Sequence, residues 1–312
     1  MAKSSSAARV CRLVGTALPF ILASATSRAA LTGGAQLAAA YHSILAAEFS
    51  RADAEIKQAC PPAPAEACKV LDVVSVWWRI QIDPTNRSRD RLLNDRANTS
   101  IKAAEAWTKR EPQNAEAWFY LAGAYGPLVQ WQVLRGERVS AARNGNHVRE
   151  ALEQALKLDP SLADAQFGIG IYQYYADVAP AAAKVLRWLL LLPGGDRVRG
   201  LRAIEDASRG GELMRDEALF QLSLIDLWYE HKPAEAIARL RSLDERYPFN
   251  PLFLQRIADT YDEYLHNARA SAAAWQTLID RAYHDRVYDA SRIAALAAQK
   301  RHAIIARDPK LF

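Results

Sequence analysis

Residues 117–125 read Ala117-Trp118-Phe119-Tyr120-Leu121-Ala122-Gly123-Ala124-Tyr125, and a second helix-sized run closes at Leu156-Lys157-Leu158-Asp159-Pro160. Trp118, Leu121, Ala122 and Tyr125 step by three, one and three residues, so a helix places them along one face. The closing proline ends the second run, because proline disfavours helical geometry in the residue before it. Half of the chain is hydrophobic, with 14 glycines in 312 residues, a balance that favours helices over sheet. The phrase of helix, helix and proline returns along the chain.

This pattern resembles the tetratricopeptide repeat, W-x2-L-G-x2-Y…A-x3-F…P, whose period is about 34 residues. One repeat starts at Ala115 and ends at Pro160, with Val148, Leu152 and Ala155 on its second helix. Pro112 and Pro160 lie 48 residues apart, and the excess falls in residues 126–146, where Trp131, Val133 and Leu134 predict extra helix or a folded loop. A further repeat begins at Ala163. Two cleaner ones use Phe220, Leu224, Leu227, Ala236, Leu240 and Leu243, then Leu254, Ile257, Ala258, Tyr261, Ala270 and Ala274. The resemblance covers roughly residues 100–281. It implies an all-α fold, a right-handed superhelical solenoid of antiparallel helix pairs, closed by a capping helix over 282–312.

The N-terminal region is organised differently. Lys3, Arg9 and Arg12 precede an uncharged, mostly apolar run at 13–23, and Ala23-Ser24-Ala25 follows as an A-x-A site. These are the three parts of a secretory signal peptide, assigned to residues 1–25. The apolar run is shorter than the roughly 20 residues that span a bilayer. Cleavage removes three positive charges and lowers the formal net charge from +5 to +2. Residues 26–99 then form N-terminal helices, expected at 31–59, 67–82 and 90–110. Cys60 and Cys68, flanking a proline-rich linker, are the cysteines left after cleavage, and an exported chain is expected to bridge them. The expected location is therefore periplasmic or secreted.

Chemistry leaves little trace. His42, His147, His231, His266, His284 and His302 show no metal-ligand spacing, and no G-x-S-x-G nucleophile motif occurs. The stretch Pro193-Gly194-Gly195-Asp196-Arg197 lacks a P-loop ending and reads as a turn with Asp196 capping the next helix. No catalytic residue, metal or cofactor is expected. Interspersed charges and the absence of a basic stripe also argue against nucleic acid.

In the architecture that the resemblance implies, first helices line a concave face. A second stripe on those helices then faces the groove: Glu116, Phe119, Gly123 and Gly126; Asp164, Phe167, Ile171 and Tyr174; Ala218, Gln221, Ile225 and Trp228; Leu252, Gln255, Asp259 and Asp262. Aromatic and amide side chains there suit an extended peptide or amphipathic helix. Phe119, Phe167, Tyr174, Gln221, Trp228, Gln255, Asp259 and Asp262 are the expected partner contacts. The function expected is a non-catalytic exported scaffold that holds a protein or peptide segment, for an envelope assembly or regulatory complex. The competing expectation is an enzyme or small-ligand carrier with a pocket near 126–146.

Overall fold

The computed structural model describes residues 31–179, 181, 184, 193–307 and 309, so the expected signal peptide and the apolar run at 185–192 lie outside the described residues. Among the described residues there are thirteen helices and no strand. They are α1 Gly34–Leu45, α2 Phe49–Ala59, α3 Ala65–Ile82, α4 Asp90–Arg110, α5 Ala115–Arg135, α6 Arg138–Leu158 and α7 Ala163–Val178. The rest are α8 Arg197–Gly210, α9 Arg215–Trp228, α10 Pro233–Arg246, α11 Pro251–Glu263, α12 Ala268–Tyr283 and α13 Ala290–Arg307. Each helix packs on its neighbour in the chain, as in a helical solenoid.

Local chemistry sets the helix starts. Asn114, Asp196, Asn250 and Asn267 each accept a hydrogen bond from a backbone N–H in the first turn that follows, satisfying a donor the helix leaves free. Asp196 thus acts as the expected cap of α8. Pro233 and Pro251 open α10 and α11, where a missing N–H costs nothing. Gly136 closes α5 with φ +79°, the left-handed conformation that a helix C-terminus favours.

Residues 126–146 are extra helix. Both α5 and α6 run to 21 residues, whereas α7 to α12 have 13–16. The hairpin is longer than the three that follow it and matches the 21 residues of α4 before it. By contrast, the single helix expected over 31–59 is two helices. Ala47 adopts φ +60° between α1 and α2, and no glycine or proline marks the break. The last helix runs from Ala290 to Arg307, inside the expected 282–312.

Cys60 and Cys68 form a disulfide across the α2–α3 connection, with Cα atoms 6.4 Å apart. No helix among the described residues is long and apolar enough to cross a membrane. One contiguous core runs from Leu31 to Ile304. A smaller cluster of Tyr174, Ile204, Ala207, Ala218, Leu222 and Ile225 lies among α7, α8 and α9. There α7 and α8 approach closely: a Cβ on Gly200 would meet the Gly170 carbonyl oxygen and the Tyr174 nitrogen at 2.7 Å each.

Candidate functional site

The face of α5 expected to line an open groove is covered by the protein's own N-terminal helices. Helix α3 runs alongside α5, with Val70 close against Gly123 and Trp77 Nε1 donating to Gln130 Oε1 at 3.1 Å. Further along α3, Trp78 is fully buried and meets Phe220 of α9 at 5.3 Å and Phe253 of α11 at 6.1 Å between ring centroids. The segment Val70-Leu71-Asp72-Val73-Val74-Ser75-Val76-Trp77-Trp78 buries side chains on every side. An all-round apolar helix of this kind belongs inside a protein. That run is the sequence signal that α3 is buried, though not of what it is buried against.

Helix α1 and its flanks form a strap across the same face. The Thr32 amide donates to Glu116, and the Leu31 amide to Glu212 at 3.2 Å. Tyr41 donates to Glu217 at 3.1 Å, the Tyr247 hydroxyl meets His42 Nδ1 at 2.8 Å, and Asn250 donates to the Leu45 carbonyl at 2.7 Å. Phe49 then packs edge-on against Tyr288 at 4.9 Å. Burial pushes the Glu217 carboxyl above its usual range, against the hydrogen bonds from Gln221 and Tyr41 that favour its charged form. Burial likewise raises Asp164, whose oxygens accept from the amides of Glu212, Leu213 and Met214 at the approach to α9.

The eight expected contact residues therefore have different surroundings. Phe119, Tyr174, Gln221 and Gln255 are buried. Tyr174 donates to Glu230, and Gln221 donates to Glu217 at 3.0 Å. Phe167 is half-buried against the smaller cluster. Asp259 and Asp262 point to the capping helix, the first 3.7 Å from Lys300 and the second paired with Arg307. These two face α13, two helices further along the chain, instead of an open groove. Trp228, alone among the eight, is exposed, at 43 %. Trp118, expected on the packing stripe, is half-buried and donates to the Pro112 carbonyl at 2.9 Å, while Tyr120 takes the core position and stacks on Trp107. The reason is that α3 covers α5 on a second side, so burial no longer follows one stripe.

Beside Trp228 lie features the periodicity did not single out. Tyr229 is 39 % exposed and rests edge-on against Tyr175 and Tyr174, at 5.4 and 5.9 Å. Arg197 Nε donates to Glu230 Oε1 at 2.8 Å and pins the α7–α8 connection to the end of α9. Tyr264 and Leu265, after α11, are exposed to a similar degree. Two shallow clefts lie elsewhere. The larger, of about 400 Å³, opens between α10, α11 and α12 over Leu254, Ile257, Tyr261 and Ala274, and neither draws on 126–146. Among the described residues, no three His, Cys, Asp or Glu side chains converge as a metal site would need. No family model matches the chain, and no curated protein matches it in sequence.

Proposed function

We propose that the protein is an exported, non-catalytic scaffold of the tetratricopeptide type, a right-handed superhelical solenoid that holds a protein or peptide segment in an envelope complex. The disulfide and the N-terminal sequence support a periplasmic or secreted location, and the chain of stacked hairpins supports the architecture. The partner meets the rim of the groove, because α3 fills its floor. The observation that carries this reading is Trp228. It stands exposed on the stripe expected to meet a partner, with Tyr229 beside it on a base of packed tyrosines. A rigid, half-exposed aromatic pair is the kind of anchor on which interface energy concentrates, each worth about 2 kcal/mol or more when truncated.

The test is affinity capture from envelope extracts with wild type and Trp228→Ala. The reading expects a variant with an unchanged unfolding midpoint that releases a partner retained by wild type. Equal capture by both, or a variant that unfolds, contradicts it.

A further inference from the structure

The corner where the α5–α6 tip meets the α3–α4 turn has a chemistry unlike the aromatic rim. Arg135, its side chain 8 % exposed, grips Asp90 with Nε and Nη2, both at 2.8 Å, and donates from Nη1 to the Pro84 carbonyl at 2.7 Å. This clamp locks the end of α5 to the turn that leads into α4. Near the tip, Asn144 donates to Gln132 at 3.1 Å and ties α6 to α5. The corner is thus rigid. On it stand Val133, Leu134, Val139 and Leu92, exposed by 66 %, 41 %, 46 % and 39 %. Arg87, Arg91, Arg138 and Arg143 are exposed around them. Of the nearby acids, Asp83 lies 3.4 Å from Arg292, Asp90 is held by Arg135 and Asp95 lies 3.6 Å from Arg91, which leaves Glu137 against Arg87, Arg138 and Arg143.

We infer that this corner docks on the surface of a bilayer that contains anionic phospholipid. The corner is aliphatic and ringed by arginine. Both helices of its α5–α6 hairpin exceed those of the three following hairpins by at least five residues, or roughly 8 Å at 1.5 Å per residue, and the α3–α4 turn stands beside its tip. Short aliphatic side chains enter the headgroup boundary, and arginines beside them meet phosphate. None of the exposed hydrophobic side chains of the corner is aromatic, so it lacks the anchors on which a protein interface concentrates its energy, whereas a bilayer takes up scattered aliphatic groups. Excess arginine supplies the charge complementarity. The binding is peripheral and reversible, and it leaves the Trp228 rim free for a partner.

Flotation of the mature chain with vesicles tests this. Vesicles of phosphatidylcholine with phosphatidylglycerol should carry the protein up, vesicles of phosphatidylcholine alone should not, and high salt should weaken the binding. Arg138→Glu with Arg143→Glu, and separately Val133→Asp with Val139→Asp, should each lower the partition at least tenfold while helical circular dichroism stays unchanged. Trp228→Ala should bind vesicles as wild type does, so this result stands apart from the partner test. Equal partition into both vesicle types, or tip variants that float like wild type, would overturn the inference. Binding to poly-L-glutamate without affinity for either vesicle would overturn it too, in favour of an acidic protein face.

Discussion

At the scale of single residues, the fold depends on side chains that close the groove. Trp78 is fully buried between two phenylalanines on separate hairpins, so Trp78→Ala should cost about 3–5 kcal/mol, read as a lower denaturant midpoint. Asp164 accepts from three backbone amides, and Asp164→Ala should cost about 2 kcal/mol by stripping those donors of their partner. Glu217 sets a pH dependence. Its carboxyl is raised by burial, so the folded chain holds this proton to higher pH than the unfolded chain, whose value lies near 4.5. Its contribution is therefore fully present below that value and is lost as pH rises through the folded value. Glu217→Gln should flatten the fall in stability as pH rises above the unfolded value, as measured by urea midpoints. An unchanged slope would show that Glu217 does not titrate with folding.

At the scale of elements, the sequence is legible where local signals act alone. Asp83-Pro84 and Pro112 fence the helix at 90–110, and Asn114 and Asn250 mark the starts of α5 and α11 through their caps. The break at Ala47 is not legible, because an alanine in left-handed geometry is imposed by the packing around it and has no signature of its own. The burial of Phe119, Tyr174, Gln221 and Gln255 is not legible for a related reason. Periodicity reports which faces of a helix are apolar, and it cannot report that α1 and α3 return to meet Glu217 and Phe220 of α9. The approach of α7 to α8 has a sharp consequence. Gly200→Ala would push a methyl into the backbone of α7, and overpacking of this kind should cost about 1–3 kcal/mol. The linker between α2 and α3 should yield a disulfide-linked peptide pair after digestion without reductant. Replacing both cysteines by serine should cost about 2 kcal/mol.

For the molecule as a whole, the decisive feature is that a repeat-like array is filled by the chain that precedes it. An open array gains stability repeat by repeat through neighbour interfaces. Here α3 bridges α5, α9 and α11, and the core is continuous from Leu31 to Ile304, so the hairpins should unfold together in one transition. On the proposed reading, the rim and tips of such a protein are what remains for a partner, because α3 occupies the face between the hairpins. Hydrogen exchange along the full chain tests that claim most directly. Peptides covering 67–82 should be among the slowest to exchange, as slow as those of α5 and α9, because α3 opens only when the array opens. Exchange in 67–82 as fast as in the turn at 83–89, with α5 and α9 still protected, would mean that the groove stands open and would contradict the account.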